Sequence, residues 1–287
     1  MPTLTARSGP AAGSRSQDLW LRVVGEGEPL VLLHGLGMHG DAFRFLAPTL
    51  AESAQLIVPD LRGHGRSAHV PGPYTAEGMA ADLAPMLDSL GIHSAHILGH
   101  SHGGAVAQVF AHQHPERARS LVLISSYAVQ RITWWQHLIG RILPGVIRSC
   151  GTRQMAWVIR QFRSAGGGRR LGAPAAALAA SMLAANDPGC LGNALHCSRR
   201  FDSRSWLDAI QVPTLVIAGD VDCVIVPAQA KELASGIPGA HLALLPGAGH
   251  AVPLSHPAEV AALITSWIRR AENDVTAAAH AHGLLDR

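Results

Sequence analysis

The stretch Ser94-Ala-His-Ile-Leu-Gly-His-Ser-His-Gly-Gly-Ala-Val-Ala-Gln108 predicts a buried strand, a sharp turn at Ser101 and a helix. The strand is indicated by the mostly apolar run before the turn, and the helix by the small residues after it. Gly99 and Gly103 flank Ser101 in the pattern G-x-S-x-G, which is typical of a nucleophile elbow. Such a turn strains the serine backbone, so the residues two before and two after it need to lack a Cβ. Ser101 is therefore the candidate nucleophile.

The five letters of this motif do not decide the matter alone, because the chain contains 30 glycines and 17 histidines. A glycine-rich turn with an incidental serine would give the same pattern. The strand before the motif and the helix after it favour the elbow.

Length and composition are those of a globular chain that can bury a large core as one domain. The chain has 287 residues, of which 48% are hydrophobic and 15% are charged. Its formal net charge of +3 comes from scattered arginines. The short arginine pairs lack the interleaved aromatic residues that stack bases, so nucleic acid is not an expected partner.

The cysteines and the N-terminal composition indicate the compartment. Four cysteines, at positions 150, 190, 197 and 223, form no C-x-x-C pair. We therefore expect reduced thiols and neither a zinc ribbon nor a dense disulfide framework. Residues 1–16 lack the apolar core of a secretory signal, and no later stretch is an apolar run of membrane length. We expect a cytoplasmic protein without a membrane span.

Strands and helices alternate along most of the chain. Alternating residues predict a strand at 19–24, and mostly apolar runs predict strands at 30–33, 55–58, 95–98, 119–124, 213–218 and 241–245. Besides the helix after Ser101, helical spacing predicts helices at 41–51, 75–90, 228–235 and 257–270. This alternation predicts an α/β fold, in which a parallel sheet is covered by helices on both faces.

One long segment interrupts the alternation. Residues 126–212 contain no convincing strand, and helices are predicted around 132–142, 154–162 and 173–184. Four of the six tryptophans fall within it: Trp134, Trp135, Trp157 and Trp206. These aromatics could fill the core of a helical insertion, or the insertion could form a cap over a substrate pocket, and both can hold together. We therefore expect a core formed by 19–125 and 213–270, a helical cap at 126–212, and flexible ends at 1–18 and 271–287.

Five motifs in order resemble those of the α/β-hydrolase superfamily. They are His34-Gly35, Pro59-Asp-Leu-Arg-Gly-His-Gly-Arg-Ser67, Gly99-His-Ser-His-Gly103, Gly219-Asp-Val-Asp222 and Gly249-His250. The resemblance covers about residues 19–270 and is to the capped group of serine esterases, lipases and meta-cleavage-product hydrolases. It implies a mostly parallel eight-stranded sheet with a helical cap after the sixth strand. It also implies structural roles for Asp60, Arg62 and Gly63.

A serine nucleophile needs a histidine to take its proton and a buried carboxylate to orient that histidine. His250 is the candidate base, because it follows the strand at 241–245 on the edge where the elbow opens, and chemistry gathers at the carboxyl ends of parallel strands. Four other histidines near this edge lie in tight glycine-flanked turns, where we expect structural hydrogen bonds. They are His34, His64, His100 and His102.

The candidate acid is Asp222, and its neighbour Asp220 is the rival. The resemblance places the acid three residues after the glycine that ends the strand, which is Gly219 here and leads to Asp222. Asp220 would then bond its side chain to a turn. The chain departs from the family in one respect, because Pro227 follows Asp222 by five residues rather than four. Some relatives place the acid after the sixth strand, but residues 124–127 here contain no carboxylate.

Two backbone N–H groups are expected to form an oxyanion hole. The N–H of His102, which follows the nucleophile at a helix start, is one donor; by the resemblance, the N–H of Leu36 is the other. No spacing in the sequence supports a metal site, and we expect neither a metal nor a cofactor.

The sequence thus predicts an enzyme, a serine hydrolase that cleaves carboxylic esters of mainly apolar substrates through an acyl-enzyme. Cleavage of a carbon-carbon bond in a meta-cleavage product, or of a lactone, would use the same residues, although Leu36 matches the carbon-carbon hydrolases less well. An aspartate at position 101 would be needed for an epoxide hydrolase or dehalogenase. A ligand-binding receptor with little turnover is the alternative from another class, since a fold does not fix a function. The expected partner is a small-molecule ester, and the oligomeric state is left open.

Overall fold

The computed structural model of the protein describes residues 19–130, 145–146, 149–154 and 172–281, with side chains described as far as residue 273. Its centre is a twisted sheet in the order β1-β3-β2-β4-β5-β6-β7. The strands are β1 Leu21–Val24, β2 Glu28–Leu33, β3 Ala54–Pro59, β4 Ala95–His100, β5 Ala118–Ile124, β6 Thr214–Gly219 and β7 His241–Leu245. Only β1 pairs in an antiparallel way, with β3, and the remaining pairs are parallel.

The sheet is mostly parallel, as predicted, but the described part of the chain has seven strands rather than the eight that the resemblance implies. All seven predicted strands are confirmed, each within two residues at either end. For the five inner strands this agreement has a simple cause. They are covered on both faces and form mostly apolar runs, which stand out in a sequence.

The helices are distributed over both faces of the sheet. They are α1 Ala47–Leu50, α2 Ala76–Ala80, α3 Leu83–Ser89, α4 His102–Gln113, α5 Ala173–Ala184, α6 Pro188–Ser198, α7 Pro227–Gly236, α8 Val252–Ser255 and α9 Pro257–Ala281. Val31 and Leu33 of β2 point into a core shared with α2, α3, α4 and α7. Leu30 and Leu32 point into a second core shared with α1 and α9. Successive side chains of a strand face opposite ways, which places one half of β2 in each core.

Three predicted helices differ in length or continuity. The helix predicted at 41–51 is a 3₁₀ turn over Gly40–Phe43 followed by α1. The helix at 75–90 is divided into α2 and α3. The prediction that the last helix ends near residue 270 is wrong, because α9 continues to Ala281.

The division between α2 and α3 coincides with a buried ion pair. Arg62 donates two hydrogen bonds to the carboxylate of Asp82, at 2.7 Å and 2.5 Å, and a third, at 3.2 Å, to the carbonyl of Pro71. Asp82 lies at the break between the two helices. This pair joins the turn after β3 to the helical layer, so Arg62 has a structural role.

The described part of the segment between β5 and β6 consists of helices and of irregular stretches at its two ends. An antiparallel bridge between Val129 and Asp202 brings its two ends together. The helix predicted at 173–184 is confirmed as α5, which packs Ala175 and Met182 against Ala42 and Leu254 of the core. Because one strand fewer is described than expected, this segment follows the fifth strand of the sheet rather than the sixth.

The other predicted helices of this segment lie wholly or mostly outside the described residues, as do Trp134, Trp135 and Trp157. Trp206 is described: its ring stacks on His112 with centroids 4.6 Å apart and meets Phe201 edge-on at 6.2 Å. It therefore packs against the main core. All four cysteines are free.

Candidate active site

Ser101 lies between the end of β4 and the start of α4, in the strained turn that the sequence predicts. Its backbone angles are φ 53° and ψ −119°, a region that residues with a Cβ rarely adopt. A Cβ on Gly99 would overlap the carbonyl group of Gly103, and a Cβ on Gly103 would overlap the carbonyl oxygen of Leu33. The two glycines therefore allow the strand, the turn and the helix to pack against one another.

A second serine supports this turn. The hydroxyl of Ser126 donates to the carbonyl of Ser101 at 3.0 Å, and the N–H of Ser101 donates to the carbonyl of Ile124 at 2.8 Å. Both contacts connect the turn to the end of the neighbouring strand β5. Sequence reasoning missed Ser126, because residues 124–127 were inspected only for a carboxylate.

The structure brings the predicted nucleophile, base and acid together in one chain of hydrogen bonds. Nε2 of His250 lies 3.1 Å from Oγ of Ser101, and Nδ1 of His250 lies 2.9 Å from Oδ2 of Asp222. A carboxylate can only accept, so Nδ1 carries the proton and donates it to Asp222. Nε2 is then free to accept the hydroxyl proton of Ser101.

Asp222 is held in place by the backbone of its own loop. Its side chain is buried, and Oδ1 accepts hydrogen bonds from the N–H groups of Val224 at 2.8 Å and Ile225 at 2.9 Å. The rival Asp220 is exposed and accepts from the N–H of Gly247 at 2.7 Å. Asp220 thus has the turn role expected for it, and the geometry selects Asp222 as the partner of His250.

His100 and His102, which flank the nucleophile, are fully buried and make structural hydrogen bonds, as predicted. Nε2 of His100 donates to the backbone carbonyl of His250 at 3.1 Å, and Nδ1 of His102 lies 3.2 Å from the hydroxyl of Tyr127. Burial, assisted by the neighbouring His250, lowers the pKa of His100 to about 4. Burial also lowers the pKa of His102 to about 3. Both rings are therefore neutral at pH 7.

His34 and His64 are also structural. Nε2 of His34 accepts from the N–H of Leu61 at 2.9 Å, and its Nδ1 donates to the carbonyl of Gly35 at 2.9 Å. Nδ1 of His64 donates to the carbonyl of Arg62 at 3.0 Å. Burial lowers the pKa of both rings. The bond between Leu61 and His34 joins the turns after β2 and β3, and the other two bonds lie within these turns.

The turn that carries Leu36 lies against the nucleophile. A Cβ built on Gly35 would be 3.1 Å from Cβ of Ser101, so the Gly35–Leu36 backbone borders the side chain of Ser101. On the other side, His102 is the first residue of α4, and its N–H therefore has no acceptor within the helix. Both N–H groups belong to backbone next to Ser101, and their role as oxyanion donors stays a prediction.

Two further features bear on the chemistry and the surroundings of this site. Among the residues that the structure describes, no three His, Cys, Asp or Glu side chains are grouped so that they could hold a metal ion. In the same part of the chain, no helix has both the length and the apolar character needed to cross a bilayer.

Family models and known proteins resemble this chain over most of its length. A family model described as "alpha/beta hydrolase fold" matches residues 28–143, and one described as "Serine hydrolase (FSH1)" matches residues 89–262. Polyketide synthase ThaQ of Burkholderia thailandensis is 37% identical over 86% of this chain, which spans only 12% of that protein. The pimeloyl-[acyl-carrier protein] methyl ester esterase of Chromobacterium violaceum is 30% identical over 83% of this chain and 93% of its own length.

Solved structures agree with these matches. A thermophilic esterase from Thermogutta terrifontis is 29% identical, with a TM-score of 0.77 over 88% of this chain and 93% of that one. The enol-lactonase from Burkholderia xenovorans is 25% identical, with a TM-score of 0.77 over 88% of this chain and 96% of that one. Both the sequence and the arrangement of the sheet are therefore shared with hydrolases. The chain belongs to the α/β-hydrolase family.

Proposed function

We propose that this hydrolase cleaves carboxylic esters of mainly apolar substrates, with Ser101 as nucleophile, His250 as general base and Asp222 as the acid that orients it. The observation that carries the proposal is the continuous chain of hydrogen bonds from Ser101 through His250 to Asp222. It stands on a strained turn at the carboxyl edge of the sheet, which is where parallel sheets place their chemistry.

In the first half of the reaction, Oγ of Ser101 attacks the ester carbonyl while Nε2 of His250 takes the hydroxyl proton. The buried carboxylate of Asp222 stabilises the imidazolium that forms. The carbonyl oxygen becomes an oxyanion, which accepts hydrogen bonds from the N–H groups of Leu36 and His102. His250 then returns its proton to the alcohol oxygen, the C–O bond breaks, and an acyl-enzyme remains.

Water completes the cycle. Nε2 of His250 takes a proton from a water molecule that attacks the acyl carbonyl, and the same two N–H groups stabilise the second oxyanion. When this intermediate collapses, His250 protonates Oγ of Ser101 and the carboxylic acid is released. Ser101, His250 and Asp222 are then in their starting protonation states, and no cofactor is required.

The preference for apolar substrates is inferred from the segment 126–212, which we propose to be a cap over the site. Its described part presents leucines to the turn beside the nucleophile, since a Cβ on Gly37 would lie 2.9 Å from Cδ1 of Leu183 and 3.7 Å from Cδ1 of Leu191. Met38 packs next to Met182 of the same segment. The described part of the segment thus presents apolar side chains to the Gly37–Met38 turn.

A second candidate activity is lactone hydrolysis. A lactone is an internal ester and needs the same groups, and the enol-lactonase that resembles this chain provides the specific observation in its favour. Methyl esters of long acyl chains also belong among the test substrates, because one relative is a pimeloyl-[acyl-carrier protein] methyl ester esterase.

The test is the hydrolysis of p-nitrophenyl esters of increasing acyl length, together with methyl esters and lactones, by the wild type and by Ser101→Ala. We expect turnover that depends on Ser101 and is highest for an aliphatic acyl chain. Near-normal hydrolysis by a folded Ser101→Ala variant would refute the assignment of the nucleophile. A wild type that binds these compounds without turning any of them over would instead favour the receptor.

A further inference from the structure

Asn186 connects the segment 126–212 to the turn that carries Leu36. It lies between α5 and α6, is only 4% exposed, and reaches two loops of the core. Its Nδ2 donates to the carbonyl of Gly37 at 3.0 Å, and its Oδ1 accepts from the N–H of Gly65 at 3.3 Å. We propose that Asn186 is a positioning residue, which fixes the Leu36 turn for transition-state stabilisation. This inference rests on the function proposed above.

The hydrogen-bonding capacity of this amide is matched to its surroundings. Besides Gly37, Nδ2 also donates to the carbonyl of Met182 at 2.8 Å. A longer contact of 3.4 Å joins Nδ2 to the carbonyl of Leu183. The amide nitrogen therefore faces three carbonyl groups and the amide oxygen faces an N–H group, which fixes the orientation of the side chain. A planar group with donors on one side and an acceptor on the other fits these surroundings.

A second residue, Asp60, joins the same two loops. Oδ1 of Asp60 accepts from the N–H of Gly40 at 2.7 Å, and its Oδ2 accepts from the N–H of Arg66 at 2.9 Å. Asp60 thus connects the far end of the Leu36 turn to the loop after β3. Asn186 connects the near end, at Gly37, to the same loop at Gly65. The turn is held between these two contacts.

The end of the turn at Gly37 is the one that affects the oxyanion donor. Gly37 follows Leu36 directly and adopts a φ of +70°, so its peptide group belongs to the bend that directs the Leu36 N–H. Inside the turn, the N–H of Met38 donates to the carbonyl of Gly35 at 3.2 Å. This internal bond and the contact with Asp60 keep the turn folded without Asn186. Catalysis requires more than a folded turn, because the Leu36 N–H has to lie within about 0.5 Å of its productive position.

Two substitutions test the donor Nδ2 and the acceptor Oδ1 of the Asn186 side chain. Asn186→Ala removes both, whereas Asn186→Asp keeps an oxygen near the N–H of Gly65 and turns a second oxygen toward the carbonyl groups of Gly37 and Met182. Loss of a whole oxyanion donor lowers kcat about 10²- to 10³-fold, and a displaced donor loses part of that. We therefore expect kcat to fall about 10- to 100-fold in both variants, with KM changed less than about threefold. Asn193, which is exposed on α6, gives the control Asn193→Ala, for which no change is expected.

The experiment measures kcat, KM and the affinity of an alkyl boronic acid, whose tetrahedral adduct with serine places an oxygen in the oxyanion hole. We expect boronate affinity to fall in parallel with kcat in both Asn186 variants, each corrected for the folded fraction. A variant with a lowered melting temperature but wild-type kcat and boronate affinity would show that Asn186 is merely structural, and would overturn the inference. If the wild type shows no turnover that depends on Ser101, the proposed function fails and the inference fails with it. If the wild type is active through Ser101 and the Asn186 variants keep its kcat and boronate affinity, the inference fails and the proposed function stands.

Discussion

Replacing Asp222 by asparagine exchanges one carboxylate oxygen for an amide group and leaves the shape of the side chain unchanged. In the native loop, one oxygen accepts from the N–H groups of Val224 and Ile225, and the other accepts from Nδ1 of His250 at 2.9 Å. The new amide will keep its oxygen on the two N–H groups. Its nitrogen, a donor, then faces Nδ1 of His250, which has to become an acceptor.

The consequence for the rate follows from where the imidazole proton goes. With Nδ1 accepting, the proton sits on Nε2, 3.1 Å from Oγ of Ser101, and His250 can no longer take the serine proton. Turning the amide over would restore the tautomer but would leave two backbone N–H groups facing a donor, at about 1 to 3 kcal/mol each. We expect kcat/KM to fall about 10³- to 10⁴-fold, which is about 4 to 5 kcal/mol in the activation barrier.

The assay is the initial rate of p-nitrophenyl ester hydrolysis at pH 7, with thermal melting as the check on folding. Asp220→Asn is the matched control, because an amide oxygen at that exposed position still accepts from the N–H of Gly247. We expect this control to stay within about threefold of the wild type. A folded Asp222→Asn that loses less than tenfold, or an Asp220→Asn that loses more than Asp222→Asn, would refute the assignment of the acid.

Two further predictions concern stability. Burial lowers the pKa of His100 to about 4, whereas a histidine in the unfolded chain has a pKa of about 6.5. Between these values the unfolded chain binds a proton that the folded chain does not, so the free energy of unfolding decreases as the pH falls below about 6.5. His100 alone lowers it by about 3 kcal/mol at pH 4. Urea unfolding between pH 7 and pH 4 measures this, and a flat profile would contradict it. Gly99→Ala places a methyl group on the carbonyl of Gly103 and should lower the unfolding free energy by more than about 3 kcal/mol. Gly145→Ala is the control and should melt like the wild type, because a Cβ there would lie within 4 Å of no atom of the residues that the structure describes.

The sequence was most informative where one local pattern decides the structure. The five inner strands could be placed because buried parallel strands are mostly apolar runs, and the elbow because G-x-S-x-G lies between a strand and a helix. The resemblance to the α/β hydrolases favoured Asp222 over Asp220, and the geometry agrees with it. The catalytic roles themselves await the experiments above.

What the sequence did not show depends on contacts between distant residues. The sequence does not show that Arg62 binds Asp82. The break between α2 and α3 beside this pair has a local cause, because Pro85 has no N–H to donate to the carbonyl of Ala81. Asn186 precedes Asp187 and Pro188, which read as an ordinary helix boundary. Its bond to Gly37 spans 149 positions in the chain. Contacts of this kind become visible only when the fold places the two loops side by side.

The bridge between Val129 and Asp202 has a consequence for how this enzyme can change. The two ends of the intervening segment are already adjacent, so the strands on either side do not depend on its length. Exchanging a loop whose ends are fixed alters the closure entropy by only about 0.6 kcal/mol for each doubling of length. Evolution or an engineer can therefore substitute a foreign segment at this junction at little entropic cost, and Ser101, Asp222 and His250 lie outside it. We expect such an exchange to keep the geometry of the Leu36 turn only where the new segment also donates to the carbonyl of Gly37, as Asn186 does.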